Sequence, residues 1–436
     1  MLFLIEKNRR LWYYGLVNKY AAGPPQKGNR MANLRVSGVT KVYPSGKTAL
    51  AGISLSSADS EFLAVVGGAS SGKSTLLRVI AGLEEPDEGE IFIGDKQVNG
   101  LPAKLRDVAV IFGSNTLYPT MTVAENIGYG LKLRKYPQSV IDQRVEVVSE
   151  MLGLKDVLWR KPKALTAGQK LLATYGRAIA REPKIYLFDD PLAGLDEKLR
   201  AEMRGVIVNL QARIKGTFIY ATKNVAEAMC MATRIAVLKD GLLQQVDTPV
   251  NLYDYPANEY VAFLIGSPSM NFVRRAKCVK SEEGYSVAFG GVSLPLPENI
   301  VSRWSGIEEY AAEGREVTLG IRPEDIAVDK GGPISGKVST VDTSFVDGYT
   351  DIDAGGNTFS VKLGGAAKGS GHTLAPDMSR LYVFDGNTGL TLLSRDEGYV
   401  PDGRNPDAEF SPLSRQEAEE RLKALAPEKP EHKKKR

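Results

Sequence analysis

A glycine-rich turn between a short apolar run and an amphipathic segment constrains this chain more than any other feature. The run Phe62–Val66 has the length and composition of a buried strand, and the segment 74–82 ends in glycine, as helices commonly do. The nine residues 67–75 read GGASSGKST, which is the spacing of a P-loop. Such a turn directs backbone N–H groups and a helix N-terminus at a bound phosphate.

The P-loop spacing assigns a chemical role to its last residues. Lys73 is expected to reach the β- and γ-phosphates of ATP, and the Ser74 hydroxyl is expected to bind Mg²⁺. Chance matches to this spacing occur, so a second motif is needed to support it. The predicted nucleotide-binding residues of the turn are Gly67, Gly68, Ala69, Ser70, Ser71, Gly72, Lys73, Ser74 and Thr75.

A second apolar run, ending in a carboxylate, has the pattern of the P-loop's usual partner. Residues 185–188 are apolar and are followed by Asp189, Asp190 and a proline. Acidic pairs after strands are common in isolation, but with a P-loop upstream we expect Asp189 to hold Mg²⁺ through its water shell.

Strands alternate with helices through the first two thirds of the chain. Strands are predicted at 184–188, 217–221 and 235–238, with a helix at 226–232, which indicates an α/β domain with a largely parallel sheet. Residues from about 116 to 168 are mostly helical in pattern. After residue 268 short β-like runs (317–320, 337–341 and 358–363) favour a small all-β domain, sandwich- or barrel-like.

The predicted organisation has four parts. Residues 1–30 form an extension, either disordered or the product of an upstream start codon. The α/β P-loop NTPase domain spans 31–266, with a helical subdomain at about 116–168, and a β-rich domain spans 267–396. A charged, largely disordered tail occupies 397–436, in which residues 414–417 have a capping-box pattern that could start one short helix.

Composition limits the possible partners. The 436 residues are 43% hydrophobic and 25% charged, as in ordinary globular proteins. No apolar run approaches about 18 residues, so a transport role would require partners that span the membrane. The net charge of +4 is too small to favour nucleic acid, and we expect the basic run 433–436 to be solvated. The two cysteines lack metal-ligand spacing and are expected to be reduced thiols.

Three further motifs resemble those of ATP-binding cassette (ABC) ATPases. Residues 165–169 precede a predicted helix and resemble the LSGGQ signature; they are Leu165, Thr166, Ala167, Gly168 and Gln169. Residues 193–196, which end in Asp196, resemble the D-loop. Tyr43 resembles the aromatic residue that stacks on adenine.

The resemblance extends to ATPase subunits of carbohydrate importers of the maltose and glycerol-phosphate type, from about residue 32 to 394. It is carried by segments 117–119 (LYP), 122–127 (TVAENI), 227–229 (EAM), 266–272 (GSPSMNF) and 320–325 (GIRPED). It implies an OB-like regulatory domain and a head-to-tail dimer in which each ATP lies between one P-loop and the signature of the other chain, in trans. It also implies a peripheral position on the cytoplasmic face of the membrane, permease docking near 117–131, and an indirect role for an extracytoplasmic solute-binding protein.

At three positions this chain lacks the residue with which the family acts on the attacking water. Asp190 stands in place of the Glu after the metal-binding Asp, Lys223 in place of the switch His, and Gly113 in place of the Q-loop Gln. The chain has only two histidines, His372 and His432, and both lie far from the switch position. The P-loop is also altered, because the family usually has Pro and Gly where this chain has Gly68 and Ser70.

These departures favour a site that holds Mg-ATP and hydrolyses it slowly. Thr166 keeps a hydroxyl, so the signature could complete the site of a consensus paralogue, or of a second copy of this chain. Three alternatives remain: tolerated drift in a working ATPase, a pseudo-ATPase with a regulatory or structural role, and a soluble cassette protein of translation or DNA repair. The last is disfavoured because those proteins usually carry two cassettes or a long coiled coil. The sequence does not identify the cargo.

Overall fold

Apolar runs that are buried on both faces form the centre of the α/β region. The structure, a computed structural model, describes residues 32–113, 117–328, 331–342, 348–363, 370–396, 399 and 415–425. The predicted extension 1–30, the residue at the start of the predicted helical subdomain, and the basic run 433–436 lie outside these ranges.

A six-stranded sheet has the order β10-β9-β3-β8-β7-β6, and every neighbouring pair except β10–β9 is parallel. Every residue of β3 and β8 is buried, as expected for strands covered on both faces. The predicted strands and largely parallel pairing are confirmed, with strand ends within one residue of the prediction. The strands are β3 Phe62–Val66, β6 Val108–Phe112, β7 Ile185–Asp189, β8 Thr217–Thr222, β9 Arg234–Lys239 and β10 Leu242–Asp247.

A second, antiparallel sheet of order β2-β1-β4-β5 shares a hydrophobic core with the first. Burial alternates along the first residues of β1, which places one face on this core. None of the strands of this sheet is predicted from the sequence. Its strands are β1 Leu34–Val42, β2 Thr48–Ser57, β4 Glu88–Ile93 and β5 Lys96–Gln97.

Helices of the α/β region begin and end at recognisable caps. Helix α1 (Lys73–Ala81) ends at Gly82, which has a left-handed φ of 72°. Two helices start with a capping box, α2 at Thr122 and α4 at Thr166. The helical pattern predicted after 116 corresponds to α2 and α3. The remaining helices are α2 Val123–Leu133, α3 Gln138–Met151, α4 Ala167–Ile179, α5 Glu197–Ile214, α6 Val225–Met231, α7 Pro249–Asp254 and α8 Glu259–Leu264.

Two five-stranded antiparallel sheets follow α8 and share one core. Their orders are β13-β12-β11-β14-β20 and β15-β19-β16-β17-β18. The predicted β-rich, OB-like class of this region is confirmed, with two short helices, α9 (Glu298–Val301) and α10 (Ile307–Glu313), beside the strands. The strands are β11 Asn271–Ser281, β12 Gly284–Phe289, β13 Val292–Pro295, β14 Glu316–Ile321, β15 Ile326–Val328, β16 Ile334–Asp342, β17 Tyr349–Ala354, β18 Asn357–Lys362, β19 Ser370–Pro376 and β20 Tyr382–Asp385.

Arg322 joins the β region to the end of the α/β region. The residue is 1% exposed, and its guanidinium donates to the carbonyl oxygens of Ile265 at 2.5 Å, Ala262 at 3.2 Å and Tyr253 at 2.8 Å. The guanidinium also lies 3.9 Å from the centre of the Tyr253 ring. One buried cation therefore fixes α8 against the β region.

Of the predicted tail 397–436, the structure describes residue 399 and a helix, α11 (Arg415–Ala424). The helix begins where residues 414–417 predicted one, although Ser414 lies outside the described residues. None of the helices in the described ranges combines the length and apolar content needed to cross a membrane. Both cysteines are free thiols, Cys230 exposed and Cys278 buried.

Candidate nucleotide site

The turn after β3 has the backbone geometry of a phosphate cradle. Gly67 has a φ of 157°, and a Cβ added there would lie 2.1 Å from the carbonyl oxygen of Leu238, so only glycine fits. Lys73 Nζ donates to the carbonyl oxygens of Gly67 at 2.9 Å and Gly68 at 2.7 Å, and to Ser71 Oγ at 3.1 Å. The ammonium group thus lies over the loop that is predicted to bind phosphate.

Ser70 keeps a glycine-like conformation without being glycine. Its φ is 60°, in the left-handed region, and it stands where the family usually has Gly. A side chain in this region costs roughly 1–2 kcal/mol, because Cβ approaches the following carbonyl oxygen. The backbone path of the loop is therefore retained at the expense of local strain. Gly68, Ala69 and Ser70 are all exposed at the top of the loop.

Ser74 and Asp189 form the predicted metal pair. Ser74 Oγ, at the start of α1, donates to Asp189 Oδ1, at the end of β7, at 2.8 Å. Hydroxyl and carboxylate oxygens are the ligands that Mg²⁺ prefers, so these two residues fit the ion. Among the described residues no cluster of three or more His, Cys, Asp or Glu side chains could hold a metal. Phosphate and water would therefore supply the other Mg²⁺ ligands, as is usual for nucleotide-bound Mg²⁺.

Asp190 has an unusual backbone conformation. Its φ is 47°, in the left-handed region, and its N–H donates to the carbonyl oxygen of Ala221 at 2.8 Å. Its carboxylate Oδ1 lies 3.4 Å from Thr222 Oγ1, at the end of β8. Asp tolerates this region better than most residues with longer side chains. The Asp190 carboxylate, which follows the predicted metal ligand Asp189, is therefore positioned both by its backbone and by a side chain shorter than the family's Glu.

Gly113 lies directly against the same turn. Its N–H donates to the carbonyl oxygen of Asp189 at 3.1 Å. A Cβ added at Gly113 would lie 2.3 Å from the carbonyl oxygen of Asp190, a distance that real Cβ contacts do not show. The absence of a side chain at Gly113 and the conformation of Asp190 therefore belong to one packing arrangement.

Four charged groups interact at this edge of the sheet. Burial lowers the pKa of Lys73 below its ordinary value. The charges of Asp190 and Asp189 oppose this shift in pKa, and the charge of Lys223 adds to it. Lys223 is exposed and follows β8 directly. A cation at this position adds positive potential where a triphosphate would bind.

Glu227, which the sequence marks only as part of the segment 227–229, is a buried carboxylate on α6. Glu227 is 2% exposed, and its Oε2 accepts from Tyr220 Oη at 2.9 Å and from Thr222 Oγ1 at 3.0 Å. Its Oε1 lies 3.7 Å from Arg200 Nε. The one local signal for this network is that Glu227 lies three residues after Asn224, the N-cap of α6.

Tyr43 lies beside the P-loop helix. Its hydroxyl donates to Glu84 Oε2 at 2.7 Å and lies 3.1 Å from Thr75 Oγ1. The position is compatible with an aromatic platform near the phosphate cradle. Stacking of this ring on adenine stays a prediction.

The signature-like segment and Asp196 lie on other elements. Thr166 Oγ1 accepts from the Gln169 N–H at 3.2 Å and caps α4, while Leu165 is buried beneath it. Thr166 and Ala167 are exposed, and Gly168 is half-buried against Leu199. Asp196 Oδ1 accepts from the Leu199 N–H at 2.9 Å and caps α5.

The structure thus brings the P-loop, the Ser74–Asp189 pair, Asp190 and Gly113 together through direct contacts, with Tyr43 and Lys223 beside them. The signature presents an exposed helix N-terminus, whose partial positive charge suits an anion. A ligand held between this terminus and the P-loop of a second chain would match the arrangement that the resemblance implies.

Replacing Ser70 by glycine should stabilise the fold. Ser70→Gly removes the Cβ contact of a left-handed residue, and we expect the free energy of unfolding to rise by about 0.5–1 kcal/mol in urea titrations without nucleotide. Ala69→Gly is the matched control, because Ala69 has no left-handed φ. That variant should lose about 0.5–1 kcal/mol. Equal shifts in the two variants would contradict strain at Ser70.

Restoring the Q-loop glutamine alone should damage the site. In Gly113→Gln the new Cβ must displace the Asp190 backbone, so we expect the free energy of unfolding to fall by about 1–3 kcal/mol, with no gain in ATP turnover. Gly113→Ala carries the same Cβ without the amide and should lose similar stability. A Gly113→Gln variant with wild-type stability and faster turnover would show that the contact is unimportant.

Comparisons with known proteins give the family of this chain. The ABC transporter profile matches residues 50–193, and the MalK OB fold domain profile matches residues 266–326. The oligosaccharides import ATP-binding protein MsmX of Bacillus subtilis (strain 168) is 40% identical over 374 residues, covering 83% of this chain and 100% of that protein.

Two further relatives have the same coverage, 83% of this chain and 100% of each relative. The trehalose/maltose import ATP-binding protein MalK of Thermococcus litoralis is 41% identical over 379 residues. The diacetylchitobiose uptake system ATP-binding protein MsiK of Streptomyces coelicolor is 41% identical over 386 residues. The chain therefore belongs to the ATP-binding subunits of ABC transporters, in the group whose ATPase domain is followed by a MalK-type OB fold.

Proposed function

We propose that this chain is the ATP-binding subunit of a carbohydrate importer, bound peripherally to transmembrane permease subunits on the cytoplasmic face of the membrane. The observation that carries the proposal is the P-loop geometry: Lys73 lies over the cradle, and Ser74 and Asp189 are paired at 2.8 Å. Lys73 would neutralise the β- and γ-phosphates of ATP, while Ser74 and Asp189 would hold Mg²⁺. The ion would neutralise charge on the transferred phosphoryl group.

The relatives support the substrate class. Their names assign them to the import or uptake of oligosaccharides, of trehalose or maltose, and of diacetylchitobiose. Polyol phosphates are the other cargo that the sequence resemblance allows. Because cargo is selected by the permease and an extracytoplasmic solute-binding protein, the residues of this chain do not distinguish among these compounds.

Permease docking is proposed for the segment 117–131. Tyr118 is 40% exposed, and its ring packs 4.7 Å from that of Tyr129 while Arg177 lies 5.5 Å from its centre. Exposed aromatic residues beside an arginine are typical of the central parts of protein interfaces. This surface suits a helix offered by a membrane-spanning partner.

Slow hydrolysis is proposed for the chain's own site. Phosphoryl transfer depends on positioning and on stabilisation of charge. The Asp190 carboxylate is turned toward Thr222. Lys223 replaces an imidazole with an ammonium group that cannot accept a proton while charged. Gly113 lacks the side-chain amide that the family's glutamine would offer. A water-orienting group that is misplaced by about 1 Å costs on the order of 100-fold in rate. Binding uses the loop backbone with Lys73, both of which are kept, and Lys223 adds positive potential near the phosphates.

We further propose a division of labour within a head-to-tail dimer. The exposed N-terminus of α4 would complete the site of the other chain, which could be a consensus paralogue or a second copy of this chain. A pseudo-ATPase with a regulatory or structural role is the second candidate, and the close approach of Gly113 to Asp190 favours it, since that contact leaves no room for the family's glutamine.

ATP binding and turnover by the purified full-length chain test the main proposal. We expect Mg-dependent ATP binding by calorimetric titration, its loss in Lys73→Ala, and steady-state turnover roughly 100-fold below that of a consensus cassette. Failure of the wild-type chain to bind ATP would refute the function itself. Turnover equal to the consensus cassette would refute only the impairment. Binding without any stimulated turnover in the assembled transporter would favour the pseudo-ATPase.

The trans role of the signature can be tested in mixtures with a consensus paralogue. Thr166→Val in this chain should lower turnover of the mixed dimer by roughly 10- to 100-fold, because a hydrogen bond to a charged phosphate is lost. ATP affinity of this chain's own P-loop should not change. Thr122→Val removes the same kind of capping box from α2 and serves as the matched control. An equal loss of turnover in both variants would mean that capping alone explains the effect.

A further inference from the structure

Tyr260 reaches the P-loop from helix α8, 192 residues along the chain. Its hydroxyl accepts a hydrogen bond from the Gly68 N–H at 3.1 Å and donates to the carbonyl oxygen of Leu238 at 3.3 Å. Lys239 Nζ lies 5.1 Å from the centre of the Tyr260 ring, which holds the ring in place from one side. The hydroxyl therefore uses its donor and an acceptor site at once.

This contact depends on a residue that departs from the family. The resemblance places a proline at position 68, and proline has no N–H to donate. Glycine supplies the donor but has far more backbone freedom than proline. The Tyr260 hydroxyl can therefore restrict the loop where a proline ring would otherwise do so.

One peptide unit connects Tyr260 to Lys73, the side chain that is predicted to bind the β- and γ-phosphates. The Gly68 N–H and the Gly67 carbonyl belong to the same planar peptide, so fixing one fixes the other. Tyr260 holds the N–H at 3.1 Å, and Lys73 Nζ holds the carbonyl oxygen at 2.9 Å. The orientation of this peptide therefore contributes to the position of the ammonium group, together with the Gly68 carbonyl oxygen and Ser71 Oγ.

Helix α8 is itself held by the β region. Glu259 Oε2 accepts from Arg274 Nη1 of β11 at 3.0 Å, and the Glu259 N–H donates to the Gly389 carbonyl oxygen at 2.9 Å. A cleft of about 370 Å³ next to Tyr260 is lined by residues of the α/β region, the β region and α11, among them Phe263 and Leu422. Tyr260 thus connects the junction between α8 and the β region to the P-loop.

We propose that Tyr260 is a positioning residue for ATP binding, which orients the Gly67–Gly68 peptide, and through it Lys73, from the junction with the β region. The inference rests on the proposed ATP-binding function. Tyr260 would not touch the nucleotide, and its effect would pass entirely through the Gly68 N–H.

A double-mutant cycle isolates that hydrogen bond. Tyr260→Phe keeps the ring and removes the hydroxyl, and should weaken ATP binding roughly 2- to 10-fold in calorimetric titrations. Gly68→Pro removes the donor, so adding Tyr260→Phe to it should change ATP affinity no further. In Gly68→Ala, which keeps the donor and fits because its Cβ would lie 3.7 Å from the Tyr260 hydroxyl, Tyr260→Phe should again weaken binding.

Two measurements separate positioning from general stability. Tyr382→Phe removes another hydroxyl that bonds to a carbonyl oxygen, that of Tyr253 at 3.4 Å, and should leave ATP affinity unchanged. Hydrogen exchange of the Gly68 amide should accelerate in Tyr260→Phe, which tests the contact even if Gly68→Pro does not fold.

Unchanged ATP affinity and unchanged Gly68 exchange in Tyr260→Phe would overturn the inference while leaving the proposed function intact. An equal loss of affinity in the Gly68→Pro background would also overturn it. Lack of ATP binding by the wild-type chain would overturn both.

Discussion

Parallel pairing of β3, β7 and β8 is the constraint from which the candidate site follows. Val66 pairs with Thr222, and Asp189 pairs with Ala221, so the carboxyl ends of all three strands meet at one edge of the sheet. Side chains just beyond the strand ends must then converge, as they do in other α/β folds with parallel sheets. The Ser74–Asp189 hydrogen bond and the contact between Asp190 and Thr222 are direct results of this register.

The departures from the family affect side-chain groups more than backbone groups. Groups that act through the backbone are kept: Gly67 retains its close approach, and Ser70 retains a left-handed φ although it carries a side chain. Groups that act through side chains at the water position, Gly113, Asp190 and Lys223, are the ones that differ. Phosphate binding relies mainly on backbone N–H groups and helix termini, whereas water activation relies on side-chain atoms. The retained and altered groups thus match the proposed division between nucleotide binding and hydrolysis.

What could be predicted from the sequence was local. The turn between β3 and α1, the strand that ends at Asp189, the helix after the signature-like segment and the glycine that ends α1 depend on neighbours within a few residues, and each forms as predicted. The conformation of Asp190 and its contact with Gly113 could not be predicted, because they depend on the pairing of Phe112 with Asp189, which are far apart in the sequence.

The Tyr260 contact was missed for the same reason, at a separation of 192 residues. Glu227 could be predicted only in part. The segment 227–229 was identified from the family resemblance, but the burial of Glu227 against β8 was not predicted. Contacts made only after the sheet has formed leave no periodic or spacing signal, so they could be found only in the folded chain.

The contrast between the two thiols gives the chain a built-in labelling position. Cys230 is exposed on α6, a few residues after Lys223, whereas Cys278 is buried in the β region, where burial raises the pKa of its thiol to about 11. Thiolate is the reactive form, so a maleimide dye would attach to α6 and leave Cys278 protonated and covered. Fluorescence from that dye would report on the segment after β8 in the unmodified sequence, without any engineered cysteine.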